Sequence, residues 1–521
     1  MKKIIALLLC LSMALCLFSG CDQPSDEPHV PTGDALVMEG QDPDSVGPQK
    51  EEDPQKFSLA YYPDRGMNPL LCNDYTNRVL FSLIYQNLFN VKADYTVEPI
   101  LCSGYRVSSN YRIWTFLLEE DAKFSDGTPV TAEDVLATYQ AAKAEGYYAG
   151  RFTNVHEMEI SEDGGIRFYL TAAYENFPQL LDIPILKAEE VKALEPLGSG
   201  PYILSDSLAG TQLVRNPVWW CKGLEFVVKA ETIPLVEAQD PAHIRDHFEF
   251  YDVGLVLADP CSDMYADFRC DYELWDVDNG VFMYIGCNVR WVDFLEDNTL
   301  RSMLTYGINR EKIVADNFDG YAHPVTLPAD PSSPYYSKSL AARYAYDSVK
   351  FMEFLGRYGK TEEPIRLLVN ADDSVRLRIA HQIADSFTEF GLPFEVVEAT
   401  SARFQQEVYN ANYDLYLGMT KLSSNMDLSP FFAPYGNLSR NGIADAALYS
   451  LCQESLANQG NYYNLHKAVA DDGRIIPIAF FGYAVYATRG VLTDLTPSRD
   501  NIFAYSLGKT MESIRIQTEN D

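Results

Sequence analysis

The chain has 521 residues, 47% of them apolar, with 34 Tyr and 27 Phe. That is too long for one ordinary domain and rich enough in large side chains to fill two cores. Its formal net charge is -33, which argues against a nucleic-acid partner, whose phosphates would be repelled, and against docking on anionic lipid heads by charge alone.

The N-terminus carries Lys2 and Lys3, then an apolar run from Ile4 to Phe18, then Ser19, Gly20 and Cys21. A positive start, an apolar stretch and small residues before a cut site predict a secretory signal over residues 1–20. The run of about 15 residues is shorter than the ~20 that span a bilayer. Leu17-Phe18-Ser19-Gly20-Cys21 resembles a bacterial lipobox, with Phe18 where Leu, Val or Ile is usual. The resemblance implies that Cys21 is the lipidation site and that its acyl chains supply a stable anchor. From Asp22 to Lys56 the sequence is dense in Pro, Asp, Glu, Gly, Ser and Gln. Such a segment buries too little apolar surface to offset its ordering entropy, and it predicts a flexible tether over 21–56.

Along the body, Phe57 to Tyr62 alternates like a strand, and Pro63, Asp64, Gly66, Asn68 and Pro69 mark a loop. Val79, Leu80, Leu83 and Ile84 recur at helical spacing within Thr76–Gln86. Tyr111 to Leu118 is a strand rich in aromatic and branched residues, and Asp126-Gly127 signals a hairpin. Thr131 with Asp134 three residues on is a near relative of the capping box, which predicts a helix from Ala132 to Lys143. Further on, Pro364–Asn370 reads as a strand, Ser374–Phe390 as an amphipathic helix capped by Gly391, and Phe394–Glu398 as a strand. Helices alternating with strands predict α/β layers.

Catalytic patterns are weak. Pro196-Leu-Gly-Ser-Gly200 lacks the first Gly of G-x-S-x-G, so the glycines read as a tight backbone before Pro201. His243 and His247 are spaced like zinc ligands on a helix, but Glu does not follow His243, and Arg245 would oppose a cation; a solvated helix face is the simpler reading. After Cys10 and Cys16 leave with the signal and Cys21 takes lipid, Cys72, Cys102, Cys221, Cys261, Cys270, Cys287 and Cys452 remain. They show no C-x-x-C pair and no zinc spacing. They read mainly as buried thiols, with Cys261 and Cys270 able to form one disulfide. No catalytic residue, metal site or cofactor is expected.

The segment Trp114 to Val135, W-T-F-L-L-E-E-D-A-K-F-S-D-G-T-P-V-T-A-E-D-V, resembles the signature of family 5 extracellular solute-binding proteins, the oligopeptide, dipeptide and nickel type. Similar matches follow the family's order: Tyr85-Gln-Asn-Leu-Phe89, Gly198-Ser-Gly-Pro-Tyr202, Arg215-Asn-Pro217 with Trp220, Leu300 to Arg310 with Asn309 in place of Asp, Asp427 to Phe432 with Leu428 in place of Pro, and Ile476 to Phe480. The likeness covers nearly all of Phe57 to Leu507.

The resemblance implies a type II periplasmic-binding fold, in which two α/β lobes joined by a two-segment hinge enclose the ligand cleft. Lobe I is expected over 57–281 plus 482–521 and lobe II over 282–481, with crossings near 282–288 and 476–486. Three segments should face the cleft, and the candidate ligand-binding residues are Asn288, Arg290, Met419, Lys421, Asn425, Phe481 and Tyr483. In peptide-binding relatives the segment corresponding to Gly418–Met426 reads like G-W-x-A-D-Y, and its Asp pairs with the ligand's amino terminus. Here Met419 stands at the Trp position, no Asp follows before Asp427, and Lys421 brings a positive charge. A buried Lys421 would want a ligand acceptor or an internal acid.

The implied function is capture of a small, peptide-like solute and its delivery to ABC permease subunits with their ATPases. The alternative is a surface sensor or peptide-signal receptor on the same fold. The chain is expected as a monomer on the outer face of the cytoplasmic membrane, held there by its lipid anchor alone, and on the periplasmic side where the cell has an outer membrane.

Overall fold

The computed structural model describes residues 57–516 apart from 145, 209, 222, 225, 259–267, 319, 359–360, 362, 440–442 and 493. The signal, Cys21, the tether and Cys261 with its possible pairing to Cys270 lie outside the described residues. Among the described residues no helix is long and apolar enough to cross a membrane.

Two long strands organise the body. Tyr272–Cys287 and Ile475–Thr488 run antiparallel side by side. At ~3.3 Å per residue the first spans about 50 Å, too long for one small sheet, and its neighbours change along its length. Tyr272–Val277 lies beside Tyr483–Thr488, which pairs on its other edge with Leu255–Ala258. Beyond that come Leu59–Tyr61, Thr232–Glu237, Gly210–Arg215 and Tyr202–Ser207. Val281–Cys287 instead lies between Ile475–Phe481 and Leu415–Lys421, followed outward by Ile365–Asn370 and Phe394–Ala399. The register breaks between Val277 and Val281, where Gly280 has φ +66°. The change of neighbours therefore falls at Val277–Val281 on the first strand, opposite Phe481–Tyr483 on the second.

The cores divide at the same place. One cluster gathers Leu80, Leu83, Phe116, Phe168, Leu213, Val277, Val485 and Phe503. Another gathers Val281, Ile285, Leu300, Leu367, Ile379, Leu415 and Ile478. Two α/β lobes, each with its own core, share two through-running strands; this is the type II periplasmic-binding architecture.

Local chemistry explains the elements. Thr131 and Asp134 form a reciprocal cap: Thr131 N donates to Asp134 Oδ2 at 2.9 Å, and Asp134 N to Thr131 Oγ1 at 3.4 Å. The helix Ala132–Ala144 starts there. Asp126 Oδ1 accepts from Thr128 N at 2.9 Å, and Gly127 takes φ +85°, which closes the turn before it. Asp373 accepts from Arg376 N and caps Ser374–Glu389, and Gly391 follows at φ +85°. In the glycine loop, a β-carbon on Gly198 would lie 2.0 Å from the Ile84 carbonyl oxygen, and Gly200 N donates to that same oxygen at 2.8 Å. These glycines let the loop sit on the C-terminal end of the helix Tyr75–Ile84. Ser199 between them is fully buried and its hydroxyl has no partner among the described residues.

Arg310 is buried in lobe II and donates to Pro477 O at 2.6 Å on the second long strand and to Thr305 O at 2.9 Å. Asn309 caps the helix after it, accepting from Lys312 N at 3.0 Å. Cys72, Cys102, Cys221, Cys287 and Cys452 are buried, and burial raises each thiol, that of Cys221 to about 12.

Candidate functional site

Strand Leu415–Lys421 ends beside Val281, at the boundary between the lobes, so its last side chain reaches across. Lys421 Nζ donates to Asp500 Oδ1 at 2.5 Å. Asp500 follows the second long strand and precedes Ile502 and Phe503, which sit in the lobe I core. The ion pair therefore joins lobe II to lobe I.

Asp500 also accepts from Tyr147 OH at 3.3 Å and lies 3.8 Å from Arg151, which is paired with Asp182. Arg78 is buried nearby, with its guanidinium 3.8 Å from the centre of the Tyr147 ring and Nη2 donating to Tyr148 OH at 2.7 Å. Burial pushes the Asp500 carboxyl up, but Lys421, Arg78 and Arg151 outweigh it and hold the group well below the usual carboxylate range. Lys421 shifts down as well, because burial and the Arg499 charge exceed what Asp500 and Tyr75 return. The asymmetry is physical: the carboxylate faces three cations, and the ammonium is opposed by a fourth.

Arg499 supplies that fourth charge. It donates through Nη2 to Leu422 O at 2.7 Å, a second polar link between the lobes, and its backbone is left-handed at φ +46°. Further bridges are Tyr335 OH to Gln179 Oε1 at 2.7 Å, Gln453 Nε2 to Asn154 Oδ1 at 2.8 Å and Asn154 Nδ2 to Asp427 Oδ2 at 3.5 Å. The lobes are closed on one another.

Cavities lined by both lobes lie between them. One, of about 250 Å³, is lined by Tyr147, Gly150 and Arg151 of lobe I and by Thr420, Lys421 and Asp427 of lobe II. Another, of about 310 Å³, lies at the hinge and is lined by Tyr95, Asp276, Asp330, Phe481, Tyr483 and Arg499, among others. The Tyr75 ring packs 4.6 Å from that of Tyr483, and Lys421 and Asp500 act on the Tyr75 hydroxyl, which burial raises.

The sequence-predicted residues separate into groups. Lys421, Phe481 and Tyr483 line the interlobe cavities. Asn425 is buried beside them, accepting from Ser423 Oγ at 2.6 Å, with its Nδ2 unpartnered among the described residues. Met419 sits on the same strand, 37% exposed. Asn288 and Arg290 lie seven and nine residues beyond Val281, about 20–30 Å along an extended chain. Asn288 braces lobe II: Nδ2 donates to Ala411 O at 3.0 Å and Tyr413 O at 2.9 Å, and Oδ1 accepts from Arg290 N and Trp291 N. Both its amide hydrogens are thereby occupied by backbone, which is the geometry of a local cap. Arg290 lines a separate crevice with Glu296, Tyr435 and Arg474.

Tyr75, Tyr147, Arg151, Arg499 and Asp500 were not legible as site residues. They stand on helix starts and loops where no periodicity separates a buried charge from a solvated one. His243 and His247 sit on the helix Pro241–Glu249, with ring nitrogens 3.0 Å apart and His247 Nδ1 3.1 Å from Asp252. No group of three or more metal-ligating side chains occurs among the described residues.

Residues 96–442 match the family model described as bacterial extracellular solute-binding proteins, family 5 Middle. The chain is 25% identical over 314 residues to the glutathione-binding protein GsiB of Salmonella typhi, a match covering 56% of this chain and 59% of that relative. The chain thus spans about three fifths of the length of the GsiB relatives it matches. Among solved structures it is similar to the ABC transporter substrate-binding protein CtaP of Listeria monocytogenes, with TM-score 0.71 and 18% identity over 86% of this chain and 97% of that one. It is also similar to the oligopeptide-binding protein AppA of Bacillus subtilis, with TM-score 0.64 and 19% identity over 88% of this chain and 100% of that one.

Proposed function

Because the chain belongs to the bacterial extracellular solute-binding proteins of family 5, we propose that it captures a small, peptide-like solute outside the cytoplasmic membrane and delivers it to an ABC permease and its ATPases. The observation that carries this reading is that cavities lined by both lobes lie beside a hinge of two continuous strands. Closure around a solute excludes water and strengthens each polar contact inside. A solute that binds the closed form better than the open one shifts the population toward it, and the closed form is what a permease would recognise.

Lys421, Asn425, Phe481 and Tyr483 contribute to the site, together with Tyr75, Tyr147, Arg499 and Asp500. The peptide-like class is supported by the likeness to GsiB, a protein named for binding glutathione, itself a tripeptide. Cys21 carries the lipid anchor, and the body acts as a monomer. No catalytic step is assigned.

A thermal-shift screen against peptides, amino acids, sugars and metal chelates tests the reading. A solute that binds only the native state stabilises it by ~2.7 kcal/mol at 100 times its Kd. A shift with one class supports solute capture and identifies that class. Folded protein that no class stabilises would overturn it.

A further inference from the structure

The guanidinium of Arg499 is an unfinished contact. The residue is 5% exposed and lines the hinge cavity of about 310 Å³. Its Nη2 donates to Leu422 O, while Nε and Nη1 have no acceptor among the described residues. Buried charged donors are ordinarily matched, because leaving them without an acceptor forfeits their hydration with nothing in return. The neighbouring carboxylate of Asp500 gives its Oδ1 to Lys421 and Tyr147, and its Oδ2, which makes no hydrogen bond among the described residues, lies 3.8 Å from Arg151 and makes none to Arg499. The side chain is also fixed in place. Its backbone is left-handed, and Nη1 rests where a β-carbon on Gly280 would come within 2.8 Å.

We infer that Arg499 is the anchor of an oxyanion subsite in the hinge cavity and that it receives a carboxylate of the captured solute. The inference rests on the solute-capture reading and adds the chemistry of one end of the ligand. A planar guanidinium matches the two oxygens of a carboxylate in geometry and charge. A phosphate fits less well, because Asp276 and Asp330 line the same cavity and would repel a second negative charge. Those two carboxylates suit a ligand with a cationic group elsewhere, as in a zwitterion. The volume is at the lower end of the ~300–1,000 Å³ typical of ligand pockets, which selects small solutes. Leu422 belongs to lobe II and Arg499 to the segment packed on lobe I, so the subsite is complete only when the lobes meet.

Calorimetric titration of the full chain with a panel of Ala-X dipeptides, each against its C-terminal amide, and with inorganic phosphate tests the assignment. The expected result is that free acids bind and their amides bind about tenfold or more weakly, the scale of a lost charge-assisted contact. In Arg499→Gln the acid should fall to the affinity of the amide, and Arg499→Lys should recover part of the difference, with circular dichroism verifying the fold of each variant. Equal binding of acid and amide by the unmodified chain overturns the inference and leaves solute capture standing, and this comparison needs no variant. So does an acid preference that survives in Arg499→Gln, or binding of phosphate without any dipeptide. Absence of binding by every probe counts against both the subsite and the peptide-like reading, whereas a shift with sugars or metal chelates alone in the thermal screen would overturn the subsite and keep capture.

Discussion

Arg499 and Gly280 pack face to face at the hinge, close enough that a β-carbon on Gly280 would stand 2.8 Å from Nη1 of Arg499. Gly280 also sits at φ +66°, where the two long strands change partners, and its carbonyl accepts from Leu422 N at 2.9 Å. The bend in the hinge and the placement of the buried cation are therefore one arrangement.

Gly280→Ala tests that coupling. The substitution imposes a left-handed conformation on a residue with a β-carbon and crowds the guanidinium. A loss of about 1–3 kcal/mol is expected, read as a lower urea midpoint.

The bridge between Lys421 and Asp500 can be measured by a double-mutant cycle. Lys421→Met leaves Asp500 short of its nearest cation and should destabilise the chain by roughly 2–4 kcal/mol, in line with breaking other buried pairs. Asp500→Asn in the same background should cost less than it does alone. A coupling of about 1–3 kcal/mol is expected, and additivity would mean that the pair does not hold the lobes together.

His466 predicts an acid-sensitive component of stability. It is fully buried, neither ring nitrogen has a partner among the described residues, and burial depresses its pKa to about 3. The unfolded chain takes up the proton near the ordinary value of about 6.5. The stabilisation is therefore complete above that value and lost progressively as pH falls toward the folded pKa. Between about pH 8 and about pH 5, above the range where most carboxylates titrate, this group should account for a loss of ~2 kcal/mol. Urea unfolding of His466→Phe at both pH values should show a correspondingly smaller drop.

The glycine loop separates packing from chemistry. Gly198→Ala would drive a β-carbon to 2.0 Å from the Ile84 carbonyl oxygen and should cost more than about 3 kcal/mol or prevent folding. Ser199→Ala removes a buried hydroxyl that has no partner among the described residues and should be neutral or slightly stabilising. Thermal melts of the two variants should therefore diverge strongly.

Asn288→Ala should lower stability by roughly 2 kcal/mol, since the carbonyls of Ala411 and Tyr413 lose their donors. Solute affinity should stay within about twofold of the unmodified chain. Calorimetry of an identified solute distinguishes this brace from a ligand contact.

Local patterns carried much of this fold. The Thr131–Asp134 cap, the Asp126-Gly127 turn and the helix before Gly391 are set by residues within a few positions of one another, and the structure has each where the sequence places it. The motif order from Trp114 to Phe480 carried the family. The point where a long strand changes neighbours is not marked locally. Val277 and Val281 are both buried and apolar, and a continuous strand does not mark in its own sequence where its neighbours change.

The site divides along the same line. Lys421 was legible as a cation in need of an acid, because it stands in the segment that resembles the relatives' G-W-x-A-D-Y and brings a positive charge there. Its partner was not, since Asp500 lies 79 residues away, in a loop whose charges look like any solvated surface. Asn288 drew notice by following a strand, but the strand carries it away from the hinge at ~3.3 Å per residue. Propensity, capping and hydrophobic period act over a few residues and were determined by the sequence itself. Which charges are buried together, and which remain unmatched at Arg499, was decided only when the two lobes closed, because burial and Coulombic pairing depend on distance in space and not along the chain.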